Sequence, residues 1–130
     1  MTIVPVYAAL LAFVYIYLST RVIALRRERK ISLGANGDPA MERAMRVHAN
    51  FAEYTPFALL LLYMLETNGG NEIWLNILCA ALLAGRVLHA LGLAKANEDF
   101  RYRVAGMVTT LSVIGAAAAS LVGLAFLARV

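Results

Sequence analysis

The sequence has few of the residues that build common metal and catalytic sites in water-soluble proteins. Cysteine occurs once among 130 residues, at Cys79, which excludes an intrachain disulfide and a cysteine-based metal site. His48 and His89 lack the spacing of a zinc motif, and no glycine-rich phosphate loop is present. No serine is placed beside either histidine as a hydrolase triad requires. We therefore expect no metal site, no nucleotide site and no serine hydrolase chemistry.

Charged residues are also scarce, at 15% of the chain, whereas 62% of the residues are hydrophobic and the mean hydropathy is +0.71. A soluble domain is about 45–50% apolar, so this composition indicates a polytopic membrane protein. The isoelectric point of about 9.6 does not indicate a nucleic-acid partner, because the basic residues lie at the ends of apolar runs, where membrane topology explains them. The length predicts one domain.

Four apolar stretches are long enough for membrane-spanning helices, each of which needs about 20 residues. Turn residues separate the stretches, and Asp38 is placed to cap a helix that begins with Pro39. We predict an all-α fold, an integral membrane four-helix bundle formed by one domain over residues 1–130. The spans are expected at about 3–25, 43–66, 73–94 and 104–127.

The distribution of loop charge predicts the orientation in the membrane. The segment from Arg21 to Arg46 carries seven basic and three acidic residues, and the connection between the third and fourth spans carries three basic and two acidic residues. The turn between the second and third spans is flanked by Glu66 and Glu72. By the positive-inside rule, the basic loops are cytoplasmic and both termini lie on the non-cytoplasmic side. We expect an inner (cytoplasmic) membrane of a bacterium.

Polar and ionisable side chains extend into the second span, where lipid cannot satisfy them. At about 100° per residue, four of them share one face of the helix. They are Glu42, Arg46, Asn50 and Glu53. His48 points to nearly the opposite side. This polar stripe must face another helix, a second subunit or a polar ligand.

Arg86 and His89 interrupt the third span. At about 1.5 Å per residue, Glu53 lies roughly 15 Å and Arg86 roughly 13 Å from the cytoplasmic end, so an ion pair between them is expected. His89 lies one turn nearer the cytoplasm, and Arg103 opens the fourth span. A cleft near the cytoplasmic end is expected to be lined by Arg46, Asn50, His89 and Arg103. Glu53 is expected to be its acceptor, for an ammonium group of a ligand that also carries a carboxylate.

Small residues recur every four positions in the fourth span, at Gly115, Ala119 and Gly123. This spacing allows two helix backbones to approach closely. The sequence leaves open whether the partner helix belongs to the same bundle or to another subunit.

With these residues assembled, the chain resembles the MAPEG family, the membrane-associated proteins of eicosanoid and glutathione metabolism. The segments that carry the resemblance are ALRRERK, ERAMRVHANFAEYTP, GRVLHALG and RVAG, in the same order and on the same elements as in that family. The second segment is the specific one, and the resemblance covers essentially the whole chain. The context of His89 is more similar to the microsomal glutathione transferase and prostaglandin E synthase branch than to the leukotriene C synthase branch.

The resemblance implies a homotrimer that binds glutathione between subunits, in clefts open to the cytoplasmic side. Arg103 matches the arginine that holds the glutathione thiolate, and Arg27 is expected to assist the leaving group or orient the electrophile. Arg26 or Arg27 matches an arginine that reaches the adjacent subunit's ligand, and His48 matches a position that contributes from a neighbouring subunit. The positions that match glutathione-binding residues are Arg26, Arg46, His48, Asn50, Glu53, Tyr54 and His89.

The implied activity is that of a glutathione S-transferase or peroxidase acting on lipophilic electrophiles. Leu93 stands where the family often has a tyrosine, and Val104 where the prostaglandin branch has a serine, which disfavours eicosanoid-specific isomerase chemistry. Two alternatives are a non-catalytic lipid-binding scaffold of the same family and a small transporter. The transporter lacks an internal repeat. The residues that favour the transferase over the scaffold are Arg46, Asn50, Glu53 and Arg103.

Overall fold

A computed structural model describes residues 2–94 and 100–127, which form four helices with no strand among them. The helices are α1 (Val4–Arg29), α2 (Pro39–Thr67), α3 (Glu72–Ala94) and α4 (Phe100–Leu127). The prediction of an all-α membrane bundle is confirmed, since α1, α3 and α4 are long and apolar enough to cross a membrane. The polar helix α2 does not reach that hydropathy, and its place as the second span stays a prediction.

The central pair of the bundle is α2 and α3. Each of them contacts the other three helices, whereas α1 and α4 make no contact with one another within the described residues. The most extensive packing is between α3 and α4. Because neighbouring helices run antiparallel, the start of α2, the end of α3 and the start of α4 lie at one end of the bundle.

The beginning of α2 is set by the predicted cap. The Asp38 carboxylate accepts hydrogen bonds from the backbone N–H groups of Ala40, at 2.8 Å, and Met41, at 3.0 Å, and Pro39 occupies the first turn. These bonds satisfy two donors that a helix start leaves unpaired. The Met41 N–H above all, then the Ala40 N–H and the Arg29 guanidinium, holds the pKa of Asp38 below its ordinary value against the opposing effect of burial.

Narrow seams of buried side chains hold the helices together. On α1 the buried residues recur every seven positions, at Val4, Leu11 and Leu18, and most of the remaining apolar surface is exposed in the single chain. A seven-residue period keeps one face of a helix against its neighbour. The buried residues of α2 follow each other at intervals of three or four, from Met41 to Leu65.

At the opposite end of the bundle, Glu66 near the end of α2 is hydrogen-bonded to the start of α1. Its carboxylate accepts hydrogen bonds from the backbone N–H groups of Ile3 and of Val4, the latter at 3.2 Å. The first turn of α1 contains no acidic residue of its own. A carboxylate is favourable at a helix N-terminus, so Glu66 supplies from α2 the negative charge that α1 lacks.

Candidate functional site

A cavity of about 330 Å³ opens at the end of the bundle where α2 begins, α3 ends and α4 begins. This is the end that bears the basic loops, which we expect to face the cytoplasm. We refer to it as the polar cavity. Its lining consists of Pro39, Glu42, Arg43, Arg46, Asn50, His89 and Arg103. The structure therefore brings together the four residues for which the sequence predicts a cleft, and adds a carboxylate and another arginine.

Helix α2 supplies most of the polar lining, through side chains spaced three or four residues apart. Glu42, Arg46 and Asn50 all line the polar cavity, as expected for residues on one helix face. Glu53, the next member of the stripe, is exposed and does not line the cavity, so its expected role as the acceptor of the cleft is wrong for the single chain. The carboxylate in the lining is that of Glu42. The stripe therefore continues beyond the cavity onto the outer surface of the bundle.

The expected ion pair between Glu53 and Arg86 is wrong. Arg86 is 1% exposed and donates one hydrogen bond to Asn50 Oδ1, at 2.6 Å, and another to Thr110 Oγ1, at 3.3 Å. The guanidinium carbon also lies 5.9 Å from the centre of the Phe51 ring. Neutral acceptors and an aromatic face thus contact this buried cation, and the exposed Glu53 forms no ion pair with it.

The contacts of Arg86 fix the orientation of Asn50 at the cavity wall. Since Asn50 Oδ1 accepts from Arg86, the Asn50 amide nitrogen remains as a donor toward its other surroundings. Within the described residues its one contact is with the sulfur of Met107, at 3.9 Å. Thioether sulfur is a weak acceptor, so Asn50 can still donate to a ligand in the polar cavity.

His89 lies one helical turn beyond Arg86 and forms part of the cavity wall. It is only 4% exposed, and its Nδ1 has no hydrogen-bond partner within the described part of the chain. A buried polar atom without a partner costs free energy, which a ligand or water in the adjoining cavity can recover. Arg103, in the first turn of α4, has an exposed side chain at the mouth of the same cavity.

A glycine contact brings α4 close enough to α3 for Arg103 and His89 to share this cavity. A Cβ atom at Gly106 would lie 2.5 Å from the carbonyl oxygen of Gly85 and 2.6 Å from the backbone nitrogen of His89. These distances leave no room for any side chain larger than hydrogen. Gly106 is one turn after Arg103, so the crossing of the two helices positions the arginine.

Several residues predicted for the site lie elsewhere in the single chain. His48 points away from the polar stripe, as predicted, and faces α1, where its Nε2 lies 3.0 Å from Ser19 Oγ and its ring centre lies 5.0 Å from that of Tyr15. The expectation that no serine lies beside a histidine is therefore wrong, although among the described residues no carboxylate is hydrogen-bonded to His48 as a triad requires. Arg26 donates to the carbonyl oxygens of Ile31, at 3.4 Å, and Gly34, at 3.2 Å, and so holds the loop after α1. These contacts do not bring either residue into the polar cavity.

Arg27 and Tyr54 are also outside the polar cavity, with Arg27 exposed and Tyr54 half-buried. Of the two departures from the family pattern, Val104 is exposed on α4. The side chain of Leu93 lies outside the described residues. Among the described residues no group of three or more His, Cys, Asp or Glu side chains is placed to hold a metal ion.

Sequence reasoning missed Arg43 as a lining residue and Thr110 as an acceptor for Arg86. The signal for Thr110 was present, since a hydroxyl within an apolar span needs a partner. Its own hydroxyl donates to the carbonyl of Gly106, at 2.8 Å, in the preceding turn. Thr110 therefore supports the position of Arg86, which in turn holds Asn50.

The comparison with known proteins agrees with this architecture. The sequence model of the MAPEG family matches residues 4–122 of the chain. The chain is also similar to the inner membrane protein YecN of Escherichia coli strain K12, with 36% identity over 105 residues that cover 80% of this chain and 78% of the relative. The inner membrane protein YecN of E. coli O6:H1 strain CFT073 matches with the same identity and coverage. The chain therefore belongs to the MAPEG family.

Proposed function

We propose that this protein is a membrane-bound glutathione-dependent transferase or peroxidase that acts on lipophilic electrophiles. The observation that carries the proposal is the polar cavity, in which three arginines, a carboxylate, an amide and an imidazole converge at the basic end of an apolar bundle. Its volume of about 330 Å³ falls within the range of roughly 300–1,000 Å³ that is typical of small-ligand sites.

The donors and acceptors of the cavity match the chemistry of glutathione. This tripeptide carries two carboxylates, an ammonium group and peptide amides. Arg43 and Arg46 offer planar guanidinium groups that bind carboxylates in bidentate geometry. Asn50, held by Arg86, offers an amide donor to a peptide carbonyl, and Glu42 offers an acceptor for the ammonium group.

Arg103 is the residue proposed to activate the sulfur. A thiol with a pKa of about 8.5 is mostly protonated at neutral pH, and a fixed cation beside it lowers the pKa. In the transferase reaction the thiol proton goes to solvent and the thiolate attacks an electrophilic carbon. The S–C bond forms as the bond to the leaving group breaks, and that group takes the electron pair. Arg27 is proposed to assist the leaving group from an adjacent subunit.

A homotrimer completes the proposed site. Glu53 is exposed on a helix proposed to cross the membrane, where an uncovered carboxylate is costly, and a second copy of the chain packed against α2 would cover it. The same packing would bring Tyr54 toward the ligand, with His48 and Arg26 contributing across the subunit boundary. YecN is named an inner membrane protein, and we place this chain in the same membrane with its basic loops in the cytoplasm.

The first test is a thiolate titration. Purified protein mixed with glutathione near neutral pH is expected to gain the ultraviolet absorbance of a bound thiolate. Arg103→Ala should remove that absorbance while glutathione remains bound, and Arg103→Lys should retain part of it because it keeps the positive charge. Lys30→Ala, which removes a charge from the same end of the bundle outside the cavity, serves as the control. Unchanged absorbance in Arg103→Ala would reject the role of this arginine.

A second test separates the enzyme from the non-catalytic scaffold. Turnover of glutathione with a panel of hydrophobic electrophiles and lipid hydroperoxides is expected in detergent or in vesicles. Chemical cross-linking in membranes should give dimers and trimers. Absence of glutathione binding in the trimeric protein would favour the lipid-binding scaffold, whereas a monomer in membranes would reject the intersubunit site.

A further inference from the structure

A second concave surface lies between α1 and α3, away from the polar cavity. Phe13, Val14, Tyr17 and Leu18 line it from α1, and Val87 and Leu91 line it from α3. We call it the α1–α3 groove. Its volume is about 320 Å³, and the surface that these side chains present to it is apolar.

The α1–α3 groove and the polar cavity lie on opposite sides of α3. Val87 lies two residues before His89 and Leu91 two residues after it. At about 100° per residue, each therefore points about 160° away from His89 around the axis of α3. His89 lines the polar cavity. A ligand in the groove would therefore not meet the residues proposed to bind glutathione.

The surroundings of the groove restrict what can occupy it. Both α1 and α3 are long and apolar enough to cross a membrane, so the groove opens toward the hydrocarbon of the bilayer. The surface that the lining residues present to the groove is apolar, and such a surface at that depth suits the acyl chain of a lipid.

An arginine follows the groove residues along α1. Arg21 lies four residues after Tyr17 and three after Leu18, which places it on the same face of α1, one turn beyond the last lining residue. The side chain of Arg21 is partly buried and has neither a hydrogen bond nor an ion pair with any of the described residues. A partly buried cation at the edge of a membrane needs an anion.

The depth of Arg21 matches the level of lipid phosphates. It follows Ile3 by 18 residues, roughly 27 Å along the helix at 1.5 Å per residue. The hydrocarbon layer of a bilayer is about 30 Å thick. The long side chain of an arginine at this position reaches the polar interface, where the phosphate groups lie.

We propose that the α1–α3 groove binds an anionic phospholipid, with an acyl chain between α1 and α3 and the phosphate against Arg21. A single arginine near the membrane surface contributes about 1 kcal/mol to the binding of an anionic lipid, or about a fivefold change in affinity. The proposal does not depend on glutathione binding, since none of its residues lines the polar cavity.

The head-group contact is tested by native mass spectrometry of the detergent-purified full chain. Phosphatidylglycerol and phosphatidylcholine with identical acyl chains are titrated separately. Phosphatidylglycerol is expected to bind more tightly to the wild type, and Arg21→Gln should weaken it about fivefold with little change for phosphatidylcholine. Lys30→Gln makes the same charge change at an exposed site beyond the end of α1, and should leave both affinities unchanged. Equal binding of phosphatidylglycerol by Arg21→Gln and the wild type would overturn the proposal.

The groove itself is tested with a photoreactive group on the acyl chain of phosphatidylglycerol. Labelling is expected on peptides that contain Phe13 or Leu91, and Leu91→Trp, at a position 59% exposed, should block it by filling the groove. Circular dichroism establishes that this variant is folded. Labelling confined to other surfaces, or cross-links showing that a second copy of the chain covers the groove, would overturn the assignment.

Discussion

The two faces of α4 carry the same kinds of small residue but differ in what surrounds them. On the inner face, Gly106 lies against the backbone of α3 and Thr110 accepts a hydrogen bond from Arg86. On the outer face, a Cβ atom at Gly115 or Gly123 would meet nothing within 4 Å in the single chain. The predicted stripe of Gly115, Ala119 and Gly123 is thus exposed, and the close helix crossing occurs at a glycine outside it.

This difference shows what a small residue contributes in a membrane helix. Lipid is as apolar as the helix surface, so close packing gives stability only where another backbone is present to receive it. At the Gly85–Gly106 crossing the packing also serves the site, because it sets Arg103 beside His89. The outer stripe remains available to another subunit or to lipid.

The sharpest way to test the comparison is to place the same side chain on both faces. Gly106→Val is expected to separate α3 from α4 and to destabilise the protein by about 3 kcal/mol, the upper end of the usual cost of overpacking. Gly115→Val should leave the monomer fold nearly unchanged, since its Cβ meets nothing. Thermal unfolding in detergent, followed by circular dichroism, measures both. A similar loss of stability in the two variants would show that the outer stripe is packed as tightly as the inner crossing.

A smaller loss of stability is expected at Thr110, where a substitution tests the polar contacts on the inner face of α4. Thr110→Val keeps the side-chain shape and removes an acceptor of the buried Arg86, so we expect a loss of about 1–3 kcal/mol. Glutathione binding should weaken as well, because Arg86 orients Asn50. Thr110→Ser keeps the hydroxyl and should retain glutathione binding. If the valine and serine variants bound glutathione equally well, the hydrogen bond would have no part in positioning Asn50.

The smallest effect is expected at Ser120, at the other end of α4. Its hydroxyl accepts a hydrogen bond from the Trp74 indole, at 3.1 Å, on an exposed part of the surface. Ser120→Ala should cost no more than about 1 kcal/mol. Trp74 is the one tryptophan in the chain, so its fluorescence reports the loss directly. An emission spectrum identical to that of the wild type would argue that the bond does not persist in the membrane.

The sequence predicted helices and caps well because their signals are local. The Asp38 cap and the opposite direction of His48 follow from residue spacing along one helix, and both are confirmed. The helix α1 extends to Arg29, past the expected end of the span, because arginine is a good helix former and a cation is favourable at a helix C-terminus.

The error over Arg86 shows where sequence reasoning fails. The rise per residue gives the depth of a side chain to about one turn, but it does not fix the rotation of one helix against another. Asn50 lies one turn from Glu53, and it is Asn50 that meets Arg86. The rotation of α2 against α3 is set by the packing of their buried residues, which involves pairs distant in sequence.

The bond between Glu66 and the start of α1 has a consequence for biosynthesis. Glu66 is made 63 residues after Ile3, so this fastening does not exist while α1 alone has entered the bilayer. During that interval the leading amides of α1 must be hydrated by water at the membrane surface. When α2 has been made and packs against α1, the Glu66 carboxylate replaces that water as the acceptor for the amides of Ile3 and Val4. The position of α1 along α2 is then fixed.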